Sequence, residues 1–260
     1  MYIIKLGGSV ITNKAQECCF KQEIVDRLAA ELRQANKPTI LIHGAGSFGH
    51  ILAEQYRLND GLQQKTQING FALTHAMVQR LNSLVLSSLH THDIPAVSIP
   101  PHAVLSLSNH AFVHMDFSLF RQYLNLGFTP VSFGDVVLDK TLGFSICSGD
   151  LLIQILAAEF KPEKVIFVLD EDGLYSANPK TDPHASFIEE TTSGGLEQLA
   201  TGRNAHADVT EGMKGKINTI KHITHEGIDT IVVNGNIHNR LYDILKGKKV
   251  RSTLIYGDKI

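Results

Sequence analysis

A lysine and two glycines come together directly after the first apolar run of the chain, in Lys5–Ser9 (KLGGS). Backbone amides that glycine leaves uncovered can approach an anion closely, and the lysine adds a positive charge at the same place. Lys14 follows in the next loop. The segment therefore fits a phosphate site, although a tight turn with two surface lysines would have the same letters.

A second glycine-rich segment, Gly44–His50 (GAGSFGH), follows the next apolar run and matches the pattern G-x-G-x-x-G. A dinucleotide site would need a further strand ending in an acidic residue about 20 residues on. Here a long helical stretch follows, and the next apolar run begins near Ala96, which disfavours that site. The loop can still cradle another phosphate at a helix N-terminus. His50 is placed to contact the same anion, unless it is a simple surface histidine.

Carboxylates mark two further predicted element ends. Ser148–Asp150 (SGD) opens an apolar helix, where Gly149 can admit a ligand and Asp150 can orient lysines around phosphates. Equally, Ser148 or Asp150 can serve only as the helix cap. Asp170–Tyr175 (DEDGLY) follows the strand-like KVIFVL, and its DG pair is also an ordinary turn. The acidic spacing is not that of a calcium-binding EF-hand loop.

The last candidate segment, Asp208–Lys216 (DVTEGMKGK), leads into a predicted helix. Lysines and glycines at a helix N-terminus suit an anionic ligand, whereas a solvated flexible loop is the alternative. The Walker A sequence, the protein-kinase motifs and the G-x-S-x-G elbow are all absent from the sequence. His110 and His114 are four apart, but their surroundings are typical of a loop, so no metal site is predicted.

Short apolar runs alternate with stretches of helical periodicity, which predicts an α/β fold with a mostly parallel sheet covered on both faces. The predicted strands are Tyr2–Leu6, Thr39–His43, Ala96–Ile99, Thr129–Phe133, Lys164–Leu169, Thr230–Val233 and Thr253–Tyr256. The predicted helices are Lys21–Gln34, Gln67–Leu89, Leu119–Leu126, Gly149–Phe160, Met213–His225 and Asn239–Leu245. A hairpin is predicted between Val136–Leu138 and Phe144–Cys147. No linker divides the chain, which indicates a single domain over residues 1–260.

Composition narrows the class of protein. Hydrophobic residues make up 43% of the 260 positions and charged residues 19%, which suits one large folded domain. The net charge of −2 gives no basic excess for nucleic acid or an anionic membrane surface. Three scattered cysteines do not make a disulfide framework, so a reducing cytoplasm is expected. Neither a signal peptide nor a membrane span is predicted, since no apolar stretch approaches about 18 residues.

The order of these motifs resembles the amino acid kinase family, which includes carbamate, acetylglutamate and uridylate kinases. KLGGS, the glycine loop and D-x-D-G-L-Y-x-x-x-P carry the resemblance, which runs from Tyr2 to the last strand. Within the family, GAGSFGH is most similar to the loop of isopentenyl phosphate kinases, and fosfomycin kinases are similar at His50. The resemblance implies a three-layer αβα open sandwich, ATP with Mg²⁺ as cofactors, and a homodimer. It implies an acceptor half in residues 1–160 and an ATP half in residues 161–260.

Carried over position by position, the resemblance implies a role for each motif. ATP phosphates would be held by Lys5, Leu6, Gly7, Gly8, Ser9 and Gly46, and the rest of the ATP site lined by Asp170, Tyr175, Gly212 and Lys216. The phosphate of the acceptor would be held by Ala45, His50 and Gly149. Lys14 would stabilise the transferring group, and the catalytic set would be Lys5, Lys14, His50 and Asp150.

The implied acceptor is a small phosphate with an apolar tail. Candidates for the tail pocket are Phe71, Ala72, His75, Ala76 and Ile146, with ordinary core packing as the alternative for each. Two departures from the family pattern keep a non-catalytic ATP-binding sensor open, beside a phosphonate kinase of the fosfomycin type. Glu211 replaces a glycine of the usual DVTGGM, and Leu151 stands where a second acidic residue is common.

Overall fold

One large sheet organises the computed structural model, which describes residues 1–13, 15–179, 181–201 and 211–259. The described strands, in chain order, are β1 (Tyr2–Leu6), β2 (Thr39–His43), β3 (Ala96–Ser98), β4 (Leu105–Ser108), β5 (Ala111–Met115), β6 (Thr129–Phe133), β7 (Asp135–Asp139), β8 (Gly143–Cys147), β9 (Lys164–Leu169), β10 (Leu174–Tyr175), β11 (Phe187–Ile188), β12 (Glu190–Thr192), β13 (Thr230–Asn234) and β14 (Ser252–Tyr256).

The main sheet has eight strands in the order β12-β14-β13-β9-β1-β2-β6-β3. Every neighbouring pair is parallel except β13 and β14. β1 lies in the middle, with Lys5 opposite Ile42 of β2 and Phe167 of β9. The carboxyl ends of β1, β2, β6 and β9 therefore meet at one edge, which is where parallel sheets bind ligands. The sheet runs without a break across residue 160, where the acceptor half is predicted to give way to the ATP half.

Helices cover both faces of this sheet. In the described residues they are α1 (Gly8–Ile11), α2 (Gln22–Ala35), α3 (Gly46–Gln55), α4 (Thr66–Thr91), α5 (Pro101–Val104), α6 (Ser118–Asn125), α7 (Gly149–Phe160), α8 (Ser193–Thr201), α9 (Glu211–His225) and α10 (Arg240–Leu245). Ile3 packs in the apolar cluster that contains Leu152 of α7, and Ile4 packs in the cluster that contains Leu28 of α2. Successive strand side chains thus enter opposite cores. The predicted αβα sandwich is confirmed.

Each strand and helix predicted from the sequence is confirmed, with ends that differ by at most two residues. The continuous apolar runs identify the strands, because a strand covered on both faces is apolar throughout and does not alternate between apolar and polar residues. No helix of the described residues is both long enough and apolar enough to cross a membrane.

The loop predicted around His110 and His114 is wrong, because β4 and β5 form a hairpin there. The hairpin belongs to a second sheet in the order β5-β4-β7-β8, whose other half is the predicted hairpin. β5 is an edge strand with four of its five residues exposed, so it lacks the alternation that marks a half-buried strand. Asp139 joins the two hairpins by accepting backbone N–H bonds from Asn109 and His110 at 2.8 and 2.9 Å.

Candidate active site

A cavity of about 410 Å³ opens at the carboxyl edge of the main sheet, between the loops that follow β1, β2, β6 and β9. Of the predicted site residues, it brings together Lys5, Gly7, Gly8, Ser9, Ala45, Gly46, His50, Gly149, Asp150, Asp170, Tyr175 and Lys216. The side chain of Leu6 is instead buried in the core. Lys14 lies outside the described residues, and so do the surroundings of Glu211 and Gly212. Residues from five separate sequence segments thus share one cavity.

The two glycine loops touch each other through their backbones. A Cβ atom on Gly8 would lie 2.8 Å from both the Cα and the amide nitrogen of Gly46, which is closer than such atoms approach in real structures. Gly46 itself has a φ of +50°, a conformation that favours glycine, and a Cβ there would meet Thr12 Oγ1 at 2.3 Å. Both loops therefore need glycine for a steric reason, in addition to exposing amides to an anion.

Thr12 and Lys21, which sequence reasoning missed, fix these loops. The Thr12 hydroxyl donates to the Gly8 carbonyl at 2.7 Å and accepts the Ser47 amide at 3.0 Å, so one buried side chain ties the first loop to the second. The Lys21 ammonium donates to the carbonyl of Ser9 at 2.8 Å. Only the contact between Thr12 and Gly8, four residues apart, is local enough to be visible in the sequence.

A carboxylate lies between two lysines at one side of the cavity. Asp150 accepts from the Lys5 ammonium at 2.5 Å and from the Lys216 ammonium at 3.3 Å. The hydroxyl of Ser148 caps α7 by accepting the Leu151 amide at 3.1 Å, so the capping alternative applies to Ser148 alone. Asp150 is thereby left to hold both ammonium groups, as the functional interpretation requires.

Burial and neighbouring charges shift the pKa values of Lys5 and Asp150 in this cluster. The pKa of Lys5 is lowered to about 8, chiefly by burial; Asp150 opposes this shift and the charge of Lys216 adds to it. Burial would raise the pKa of Asp150, but the charges of Lys5 and Lys216 outweigh it and hold that pKa below its usual value. At neutral pH the cluster therefore carries two positive charges and one negative charge, a net positive charge facing the cavity.

The resemblance to the amino acid kinase family implies that Lys5 holds ATP phosphates, and its lowered pKa then predicts a basic limit on ATP capture. Because Lys5 loses its positive charge as the pH rises through about 8, kcat/KM for ATP should fall above that pH, approaching tenfold per unit. The pKa values that kcat/KM reports belong to the free enzyme, so kcat at saturating ATP should hold to higher pH, since bound phosphates favour the ammonium form. The measurement is a pH profile of both constants, and a flat kcat/KM up to pH 10 would contradict this assignment.

The carboxylates after β9 have separate tasks. Asp170 lines the cavity and accepts the Ser9 hydroxyl at 2.7 Å, which joins the loops after β1 and β9. Asp172 instead accepts from Arg240 at 2.5 Å and from Arg251 at 2.8 Å, which fastens the chain beyond the loop. Of these two carboxylates, which belong to one acidic run, only Asp170 lines the cavity.

Another part of the cavity wall is mostly apolar. His50, on α3, lines the cavity together with Ala53, Val78, Val136 and Ile146. Among the tail-pocket candidates, Ile146 lies in this wall, and the ring centroid of Phe71 lies 5.3 Å from that of Phe144 in the adjoining apolar cluster.

Ala72 and Ala76 are wrong for this role, because they lie on the exposed face of α4. His75 turns to Asp135, with a hydrogen bond of 2.8 Å. The sequence does not show which face of α4 is buried, because polar residues lie on all sides of the helix.

Residues 1–234 match the family model described as the amino acid kinase family, and the chain belongs to this family. Within this family, the chain is similar to isopentenyl phosphate kinases. The chain is 39% identical to the isopentenyl phosphate kinase of Methanothermobacter thermautotrophicus over 99% of each chain, and 33% identical to that of Methanocaldococcus jannaschii over 95% of each. A solved structure of isopentenyl phosphate kinase superposes with a TM-score of 0.86 at 36% identity, covering 98% of this chain and 99% of that one.

Proposed function

We propose that this protein transfers the γ-phosphoryl group of ATP to the phosphate of isopentenyl phosphate, giving isopentenyl diphosphate for isoprenoid biosynthesis. The observation that carries the proposal is that one cavity joins the Lys5–Asp150–Lys216 cluster to an apolar wall beside His50. The cluster offers positive charge to phosphates, and the wall offers burial to a short hydrocarbon tail. The full-length likeness to isopentenyl phosphate kinases supports the same substrate.

The chemistry needs positioning and charge neutralisation more than a base. The second pKa of a phosphate monoester is about 6, so the attacking oxygen is already ionised near neutrality. The main barrier is therefore the approach of two anions, and it is lowered by fixed positive groups aimed at the transferring group. Lys5 and Lys216 would supply these charges, with Asp150 holding both ammonium groups in place. Lys14, outside the described residues, is proposed as a third. His50 would hold the acceptor phosphate in line.

The residues present fit ATP phosphates. A side chain on Gly8 or Gly46 would fill the contact between the two loops, so their amides can approach phosphate oxygens closely. The backbone around Leu6, Gly7 and Ser9, the cavity groups Asp170 and Tyr175, and the Gly212 segment are proposed to complete the site. Mg²⁺, when bound with ATP, would neutralise part of the phosphate charge, and we assign it no protein ligand.

The proposal is tested by comparing acceptors. Purified protein with Mg-ATP should release ADP rapidly and saturably with isopentenyl phosphate and at background rate with fosfomycin. The apolar wall of Ala53, Val78, Val136 and Ile146 favours this order, because a small polar phosphonate would leave it uncovered. Turnover with fosfomycin alone would overturn the assignment. ATP binding with neither acceptor turned over would favour the sensor, in which case Glu211 and Leu151 would be the first positions to exchange.

His50 gives a prediction specific to the acceptor. In His50→Ala, kcat should fall by about 10²–10³, as for loss of one positioned donor, while the Kd for ATP stays within a factor of about two. The measurement pairs steady-state kinetics with calorimetric ATP binding. His114→Ala, which removes an exposed histidine on β5, is the matched control and should keep full activity. Near-normal turnover in His50→Ala would remove His50 from the acceptor site.

Three further points stay part of the proposal. Assembly as a homodimer is expected from the family resemblance and is checked by light scattering on the purified protein. Residence in the cytoplasm is expected because the odd, sparse set of cysteines at positions 18, 19 and 147 does not make a disulfide framework. The division into an acceptor half and an ATP half would be tested by which half each ligand protects from hydrogen exchange.

A further inference from the structure

Two histidines and a buried carboxylate meet beside the cavity, on three different elements. His75 lies on α4, His102 on α5 and Asp135 at the start of β7, and their ligand-type atoms all lie within 4.8 Å of one another. Asp135 Oδ2 is 2.8 Å from His75 Nδ1 and 3.5 Å from His102 Nδ1. The two rings are 4.2 Å apart between centroids. Within the described chain this is the group whose residue types and spacing match a metal site.

One atom of the cluster has no hydrogen-bond partner. His102 Nδ1 is buried, yet no group of the described residues lies in bonding geometry with it, and the 3.5 Å to Asp135 does not make a hydrogen bond. A buried polar nitrogen without a partner is costly, so natural proteins rarely leave one. His102 Nδ1 is therefore a polar atom for which the described residues supply no partner.

The carboxylate is also prepared for a ligand. The Asp135 side chain is fully buried, and its described ion-pair partners are these two histidines. Its other oxygen, Oδ1, accepts the amide of Val136 at 2.8 Å, which turns Oδ2 towards both rings. Such a second hydrogen bond is how proteins orient a metal-ligating carboxylate.

We propose that His75 Nδ1, His102 Nδ1 and Asp135 Oδ2 bind a divalent first-row transition ion of the zinc type. Two imidazoles and one carboxylate suit such an ion better than Mg²⁺ or Ca²⁺, which prefer oxygen ligands. Ligands about 2.1 Å from a tetrahedral zinc ion lie roughly 3.4 Å from one another. The His102 pair already has this spacing, and the His75 pair, now at 2.8 Å, reaches it by opening about 0.6 Å. The side chains of His75 and His102 are 25% and 34% exposed, so an ion can enter from solvent.

The ion would tie α4, α5 and β7 together at the apolar end of the cavity. Thr74 and Val136, which neighbour two of the ligands in sequence, both line that cavity. Metal binding at this place therefore stabilises the fold and fixes the wall that faces the acceptor. The site shares no residue with the Lys5–Asp150–Lys216 cluster, so its test does not depend on the proposed kinase reaction.

The test is zinc binding to protein freed of metal with a chelator, in the absence of nucleotide. Calorimetry should give one tight equivalent, and zinc at about a hundredfold excess over Kd should raise Tm by about 5 °C or more. His102→Ala removes the unpartnered nitrogen from a partly exposed ring and should weaken zinc binding about 100-fold or more, with loss of the Tm increase. His114→Ala, the control, should bind zinc as the parent does.

Two results would overturn the site. One is the absence of a saturable equivalent in the parent protein, which would make the cluster an ion pair with an adjacent histidine. The other is zinc binding that is equal in His102→Ala and in the parent. Should the variant not fold, the unmutated protein loaded with Co²⁺ decides the question. Intense visible absorption is expected from a four- or five-coordinate site, and the weak absorption of a hydrated octahedral ion contradicts it.

Discussion

Replacing Lys5 by methionine should lower kcat/KM for ATP by about 10³ while the protein stays folded. Lys5 is 5% exposed, lies at the carboxyl edge of the central strand, and holds one oxygen of Asp150. Methionine keeps most of the buried volume but removes the charge that faces the cavity. Asp150 would then be held by Lys216 alone, so the net charge offered to phosphates falls from positive to about zero. The loss should show in steady-state kinetics with ATP varied.

Lys164→Met is the matched control for this change. Lys164 lies on the neighbouring strand β9 but at the opposite edge of the sheet, opposite Tyr2 and paired with Asp229 at 3.1 Å. Its loss should leave kcat/KM within a factor of about two, because a partly exposed ion pair contributes little. Thermal unfolding of both variants separates a folding defect from lost chemistry. A Lys5→Met enzyme that keeps a tenth or more of the parental kcat/KM would contradict the role given to Lys5.

The second large effect is expected from one added methyl group. Gly8→Ala places a Cβ 2.8 Å from backbone atoms of Gly46, and backbone cannot swing aside as a flexible side chain can. The two glycine loops must separate, which moves the amides proposed to hold phosphates. A misplacement of about 1 Å can cost about 10²-fold in rate, and overpacking costs about 1–3 kcal/mol of stability. Kinetics and denaturant unfolding of the variant should show both losses.

Gly194→Ala controls for the glycine change. Gly194 lies in α8, and a Cβ there would have its nearest neighbour, Thr192 Oγ1, at 3.9 Å, which is ordinary contact. Alanine favours a helix over glycine by roughly 1 kcal/mol, so this variant should be as stable as the parent or slightly more so. Equal activity in Gly8→Ala and the parent would show that the contact between the loops is not needed for turnover.

The fold could be predicted from the sequence largely because its central strands are buried on both faces. Runs such as YIIKL and KVIFVL have no polar alternation, which is the pattern of a parallel sheet under two helical layers. The glycine loops were found for a related reason, since each follows such a run directly. The hairpin at β4 and β5 was missed because an exposed edge strand has no such pattern.

The contacts that complete the site could not be predicted, because their partners are far apart in sequence. The Lys5–Asp150 pair spans 145 positions, and the bond between Ser47 and Thr12 spans 35. Residue type alone suggested a role for Asp150 but could not exclude the capping alternative. The meeting of His75 and Asp135 across 60 positions had no local signal at all. Such pairings follow from the strand order, which a single sequence leaves open.

The most direct test of the proposed function is to identify the bond that forms. ³¹P NMR of isopentenyl phosphate incubated with the protein and Mg-ATP observes the acceptor's own phosphorus. Phosphoryl transfer to this acceptor should replace its single resonance by two mutually coupled resonances of a diphosphate, in step with conversion of ATP to ADP. ADP accompanied by inorganic phosphate, with the acceptor resonance unchanged, would contradict phosphoryl transfer to this substrate.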